Sequence, residues 1–155
     1  MGSAYELECK SCRHEIWVRE GIGMIEMIAT QTLPFEISRE FLGVFDEYPK
    51  VVKETKIWTD KNVVEKSESR NRFYKCESCQ LSYNHLWFRF VSCNNFFEPS
   101  YFCESCKSKL NLLDSEGSVE MLEEIAKTYR VIGCPECHSK DISEVSLDME
   151  IILYD

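Results

Sequence analysis

The chain has 155 residues, enough for one domain or two very small ones, and 44% of them are hydrophobic, so a packed core can form. Its formal charge of −9 works against non-specific binding to nucleic acid and to anionic membrane surfaces, both of which depend on Lys and Arg. No run nears the roughly 20 apolar residues of a membrane span, and the N-terminus shows no basic segment ahead of an apolar core, so a cytoplasmic protein is expected.

Tyr5 to Cys12 leads into a first Cys-x-x-Cys. The segment His14-Glu-Ile-Trp-Val-Arg19 alternates polar and apolar residues, which predicts a strand. Gly21-Ile-Gly-Met24 turns the chain. Phe35 to Tyr48 predicts a helix with Phe35, Ile37, Phe41, Leu42 and Phe45 on an apolar face, Pro34 at its start and Pro49 at its end. Residues 50–72 are charged. Short strands are expected at Val51-Val52 and Ile57-Trp58, and a loop over Thr59 to Arg72. Lys50, Lys53, Lys56, Lys61, Lys66, Arg70, Arg72 and Lys75 form the one basic-leaning stretch, and acids interrupt it.

Phe73 to Phe102 reads as a cysteine knuckle followed by a β-hairpin. Leu86 to Val91 has a strand-rich composition, Asn94-Asn95 offers a turn, and Phe96-Phe97 opens the return. A short strand is expected over Leu110 to Leu113. Ser118 caps a helix over Val119–Arg130, with Val119, Leu122, Ile125, Ala126 and Tyr129 on one face. Ile142 to Tyr154 reads as a terminal strand.

The cysteines carry the chemistry. Eight of nine fall into Cys-x-x-Cys pairs: Cys9 with Cys12, Cys76 with Cys79, Cys103 with Cys106, and Cys134 with Cys137. Two intervening residues let the chain make a tight knuckle with both sulfurs on one side and amide N–H groups turned toward them. Two knuckles supply the four sulfurs of a tetrahedral site, so four imply two closed four-cysteine sites for two structural Zn²⁺ ions. Eight thiolates holding two Zn²⁺ add about four further negative charges to the chain. Iron of the rubredoxin kind takes the same ligand set. Disulfides suit secreted chains, which nothing here signals. A thiol-redox site needs one pair between a strand and a helix, and no obvious helix follows these pairs.

Spacing leaves the pairing of the knuckles open. Between Cys79 and Cys103 lie 23 residues, and between Cys106 and Cys134 lie 27. Sequential pairing (9/12 with 76/79, 103/106 with 134/137), nested pairing (76/79 with 103/106, 9/12 with 134/137) and a crossed arrangement all fit.

The Tyr-x-Cys-x-x-Cys leads and the Cys-Pro-x-Cys knuckle followed by a strand resemble the zinc ribbon or rubredoxin-like class. Tyr5-Glu-Leu-Glu-Cys-Lys-Ser-Cys12 with Gly21-Ile-Gly-Met24 downstream looks more loosely like small bacterial zinc-ribbon proteins. That class usually places Gly, which accepts positive φ, after the second cysteine of each knuckle. Here those residues are Arg13, Gln80, Lys107 and His138. The resemblance implies a fold and a metal, and no activity.

The remaining candidates have plain readings. Cys93 is expected as a buried free thiol inside the hairpin. His14, His85 and His138 are expected at the surface or beside the ligands, with His14 and His138 placed to donate toward sulfur. Trp87, Phe88, Phe90, Phe96, Phe97, Tyr101 and Phe102 are expected in the core rather than as a base-stacking platform. The expected fold class is small α+β and β-rich: two zinc-ribbon-like four-cysteine units with β-hairpins and about two helices. It is expected as one compact domain over 1–155, with a division into 1–72 and 73–155 left open. The expected function is non-enzymatic, a structural-zinc protein that contacts another protein and no membrane. A nucleic-acid-binding zinc ribbon, disfavoured by charge, is the alternative, and a thiol-redox protein is weaker still.

Overall fold

The computed structural model describes residues 2–21, 48–113, 119–143 and 152–154. The chain is β-rich α+β, with two helices among the described residues. Its elements are β1 (Gly2–Glu8), β2 (Glu15–Glu20), α1 (Pro49–Thr59), β3 (Lys66–Lys75), β4 (Ser82–Ser92), β5 (Asn95–Phe97), β6 (Asn111–Leu112), α2 (Val119–Ile132) and β7 (Ile152–Tyr154). The helix expected over Phe35 to Tyr48 lies, but for Tyr48, outside the described residues. So do the Ser118 cap, the turn beyond Gly21 and the middle of the expected terminal strand.

The strands form two sheets, in the orders β2-β1-β7 and β5-β4-β3-β6. In the first, β1 and β2 are antiparallel, with Leu7 opposite Ile16 and Glu8 opposite Glu15 across the knuckle that joins them. β7 pairs with the other edge of β1, Ala4 opposite Ile152. In the second, β6 pairs antiparallel with β3, Tyr74 opposite Leu112, and β5 pairs with β4, Phe90 opposite Phe97. Both sheets therefore repeat one plan. Two strands joined through a knuckle lie side by side, and a third strand, which follows a second knuckle, pairs with the first of them.

The chain divides into two units. The first comprises residues 1–21, 71–85 and 102–155, and the second comprises 22–70 and 86–101. In the first unit one apolar core joins Leu7, Ile16, Val18, Phe73 and Ile142 to the buried face of α2. That face is Leu122, Ile125 and Ala126, with Tyr129 partly buried, spaced three and four apart along one side of the helix. The Ser82 amide donates to Thr128 Oγ1 (2.9 Å), and Thr128 Oγ1 donates to the Glu124 carbonyl (3.0 Å), which ties the start of β4 to α2. Glu124 also meets Lys127 at 3.1 Å and Lys75 at 3.8 Å, so the acidic run on this helix is partly ion-paired.

The second unit corrects two expectations. Val51-Val52 and Ile57-Trp58 are helical, not strands, and Pro49 begins a helix rather than ending one. Proline at the first helical position forfeits no hydrogen bond, because that N–H has no intrahelical partner. Val51 and Thr55 are buried one turn apart, and Trp58, a further turn on, meets the rings of Phe90 and Phe97 at 6.4 and 6.0 Å. The expected loop over Thr59 to Arg72 runs into β3 from Lys66. Polar Ser69 and Asn71 occupy its buried positions, which hides the strand's alternation from a hydrophobicity reading.

The aromatic segment is mostly core, as expected: Trp87, Phe88, Phe90 and Tyr101 are buried. Phe96 and Phe102 are not, at 60% and 39% exposed. The hairpin turn falls at Cys93-Asn94, one residue earlier than expected, and leaves the Cys93 thiol exposed rather than buried.

Candidate metal centre

Every knuckle closes by the same two backbone hydrogen bonds. The amide of the residue after the second cysteine donates to the carbonyl of the first: Arg13 to Cys9, Gln80 to Cys76, Lys107 to Cys103, and His138 to Cys134, all at 2.8–2.9 Å. The amide of the first cysteine donates to the next carbonyl along, from His14, Leu81, Ser108 and Ser139 respectively, again at 2.8–2.9 Å. Satisfying both bonds turns the intervening residue left-handed. Arg13, Gln80, Lys107 and His138 have φ of 63°, 58°, 61° and 59°, and no other non-glycine residue among those described has positive φ. These are the four positions at which the zinc-ribbon class usually carries glycine. The conformation is kept here without glycine, at a cost of roughly 1–2 kcal/mol per residue. Side chains return some of it: Gln80 Nε2 and Lys107 Nζ each donate to the carbonyl three residues back, Glu77 and Glu104, at 2.7 Å.

The knuckles meet in nested fashion. Cys9, Cys12, Cys134 and Cys137 form one cluster, called outer here for its place in the sequence. Cys76, Cys79, Cys103 and Cys106 form the other, called inner. Strand pairing fixes this. Ile142 bridges to Cys9, the Lys10 amide donates to the Asp141 carbonyl, and the Ser143 amide donates to the Glu8 carbonyl, which lays the fourth knuckle beside the first. β6 beside β3 does the same for the third and second. A hydroxyl pair marks each junction, Ser11 with Ser139 at 2.7 Å and Ser78 with Ser108 at 3.3 Å.

The sulfurs fit a tetrahedral ion. Sγ separations across the knuckles are 3.6 Å for Cys9–Cys137, 3.7 Å for Cys12–Cys134 and 3.4 Å for Cys76–Cys106. A tetrahedron of metal–sulfur bonds near 2.3 Å has an edge of about 3.8 Å. In each cluster the first cysteine of either knuckle is fully buried, and the second lies nearer the surface. All nine cysteines are free thiols. When bound, an ion supplies a four-way cross-link and offsets the crowded negative charge.

Crowding shows in the thiol acidities. At Cys9 burial opposes ionisation, but the amides of Cys12 and Ser11 outweigh it and hold the thiol down at about 7. At Cys12 the His14 amide favours the thiolate, yet sharing protons with Cys137 and its other neighbours pushes the thiol up to about 12. In the inner cluster the Ser108 hydroxyl and amide draw Cys106 down to about 6, while Cys106 and burial drive Cys79 up to about 12. Four thiolates so close are not all stable without a cation among them.

His14 and His138 lie at or near the surface beside the knuckles, as expected, but His85 does not. His14 and His138 serve the knuckles through their backbones, and neither imidazole bonds to a sulfur. His85 is buried, not at the surface, and burial holds it neutral, with its pKa lowered to about 3. It stacks on Tyr83 with ring centroids 5.8 Å apart. The Tyr83 hydroxyl lies 3.2 Å from Cys103 Sγ, a contact the sequence reading missed. The sequence also held a signal against sequential pairing. Cys103-Glu-Ser-Cys-Lys-Ser-Lys109 and Cys134-Pro-Glu-Cys-His-Ser-Lys140 share Ser-Lys after the knuckle, and the first two knuckles lack it. Each cluster takes one knuckle of each kind, which sequential pairing would violate and crossed pairing would not, so the strand contacts settle the nesting.

No helix among the described residues is long and apolar enough to cross a membrane. No family model, curated protein or solved structure matches this chain, so the two clusters of four cysteines stand on their geometry: each could hold a metal ion within four sulfurs.

Proposed function

We propose that the protein is a non-enzymatic scaffold built around two structural Zn²⁺ ions and that it acts as a protein–protein interaction module. The observation that carries this reading is the completeness of both ligand sets. Four thiolates fill a tetrahedral ion and leave no position for substrate or activated water, as structural zinc sites do and catalytic ones do not. An acidic surface favours a protein partner over a polyanion. The second unit supports the reading with exposed apolar groups, Val63 at 77% and Phe96 at 60%.

The test is metal analysis of freshly purified protein, followed by chelation. Two zincs per chain are expected, with loss of cooperative unfolding once they are removed, because structural zinc contributes on the order of 10–16 kcal/mol in small peptides. Unchanged thermal stability after verified metal loss would sink the structural role. Iron in place of zinc would correct the metal alone. Crosslinking in cells should then capture a protein partner.

A nucleic-acid reading has one observation behind it. Arg70 and Arg89 lie over the Trp87 ring, 5.2 and 5.6 Å from its centroid, and Arg89 also lies over Phe96 at 5.3 Å. Against it, Trp87 is buried and Arg89 is held by Glu98 at 2.6 Å. Binding of DNA or RNA at low salt, falling steeply as salt rises, would favour this second reading.

A further inference from the structure

We propose that Tyr83 is a hydroxyl donor to the metal ligand Cys103 and makes the inner centre the slower of the two to release its ion. The inference rests on the reading that both clusters hold zinc, and it assigns them different lifetimes. A metal-bound thiolate carries no proton, so in the 3.2 Å contact between Tyr83 Oη and Cys103 Sγ the hydroxyl donates. Tyr83 is 5% exposed and Cys103 fully buried, so water does not compete for the bond. The ring is fixed in place. It stacks on His85, which is itself buried and packs 5.6 Å from the Tyr74 ring.

The repeated plan of the two sheets supplies a comparison within the molecule. Tyr83 stands seven residues after Cys76, the first ligand of the inner centre. Seven residues after Cys9, the first ligand of the outer centre, stands Ile16, equally buried and with no donor. The serine pairs have counterparts in both centres, Ser78 with Ser108 and Ser11 with Ser139, and so do not distinguish them. Exposure acts in the same direction. Cys12 and Cys137 of the outer centre are both exposed, whereas in the inner centre Cys106 is exposed and Cys79 only partly so. A hydrogen bond to a thiolate withdraws charge from the sulfur and weakens its attraction for protons and electrophiles. The outer sulfurs should therefore be the first to leave their ion. Chain between residues 9 and 137 would then be held by the inner centre and the shared core alone, a state with one ion.

The experiment is timed zinc removal from the two-zinc protein by excess chelator, followed by native mass spectrometry, with pulse alkylation and peptide mapping to identify the freed cysteines. A one-zinc species should accumulate, labelled at Cys9, Cys12, Cys134 and Cys137. In Tyr83→Phe the inner ion should leave about tenfold faster or more, as losses of ligand-supporting hydrogen bonds generally cause. With Co²⁺ in both sites, the thiolate-to-metal charge-transfer band of Tyr83→Phe should move to lower energy. Packing alone would not shift it, because phenylalanine keeps the ring. Simultaneous release from the native protein, labelling of the inner cysteines first, or an unmoved band and rate in Tyr83→Phe would each overturn the proposal. Purified protein with fewer than two ions would instead overturn the reading beneath it.

Discussion

Gly133→Ala tests how tightly the fold and the outer centre are coupled. Gly133 ends α2. Its amide donates to the Tyr129 carbonyl at 2.8 Å, and its φ of +96° turns the chain out of the helix and into Cys134. A Cβ there would stand 2.6 Å from the His138 carbonyl oxygen and 3.0 Å from its carbon. Those atoms are backbone, and the backbone is not free to retreat. His138 is itself left-handed, and its amide is bonded to Cys134, so any shift displaces the ligands on either side. The left-handed conformation costs alanine about 1–2 kcal/mol, and overpacking adds about 1–3 kcal/mol, which together give roughly 2–5 kcal/mol. In a chain of this size each kcal/mol lowers Tm by about 2–4 °C, so a fall of roughly 5–20 °C is expected for the metal-loaded protein. Thermal unfolding followed by circular dichroism measures it, and chelator competition should show the loss of affinity confined to the outer site. A Tm within a degree of the native value, with both sites intact, would refute the coupling.

Thr128→Val keeps the shape of the side chain but strands the Ser82 amide, and should cost about 1–3 kcal/mol in urea unfolding with an unchanged slope; a neutral effect would mean that water reaches that amide. His138→Gly relieves a left-handed residue and should raise stability by about 0.5–1 kcal/mol, after allowing for the greater freedom of glycine in the unfolded chain; lower stability would show that the imidazole makes a contribution of its own. His85 is neutral in the fold to about pH 3 but takes up a proton near pH 6.5 when unfolded, so its effect is absent at neutral pH and grows as the pH falls from about 6.5 toward 3. Between pH 6 and 5 the native protein should lose about 1.2 kcal/mol more than His85→Phe with the same metal, the loss nearing about 1.4 kcal/mol per pH unit below that; parallel stability–pH curves would count against a buried neutral imidazole.

Features set by local chemistry were open to sequence reasoning. The alternation Ile16-Trp17-Val18 marked β2, and the spacing Leu122, Ile125, Ala126, Tyr129 marked α2 to within two residues of its end. The knuckle spacing brought eight cysteines forward as ligands, and the structure gathers them into two clusters of four. Features set by partners elsewhere in the chain were not. Val51-Val52 and Ile57-Trp58 have strand-forming composition, but Val51, Thr55 and Trp58 share one helical face, and burial of that face decides in favour of the helix. Cys93 resembles a core thiol until the turn is placed at Cys93-Asn94. His85 looks polar until Tyr74 and Tyr83 close around it.

The pairing of the knuckles shows most clearly why spacing falls short. Sequential pairing would close gaps of 63 and 27 residues, and nested pairing closes gaps of 23 and 121. Loop-closure entropy grows only as the logarithm of length, so the two schemes differ by less than about 1 kcal/mol. That is negligible beside the roughly 10–16 kcal/mol a structural zinc supplies to a small peptide, which either scheme would gain at both sites. The choice therefore falls to contacts that gap lengths do not encode. The isolated bridge of Ile142 to Cys9 and the pairing of Leu112 with Tyr74 each lay the stretch after a later knuckle along the lead to an earlier one, and so fix which knuckle is its partner. A metal ion would make closure favourable in either scheme, and the backbone pairings decide which cysteines stand together.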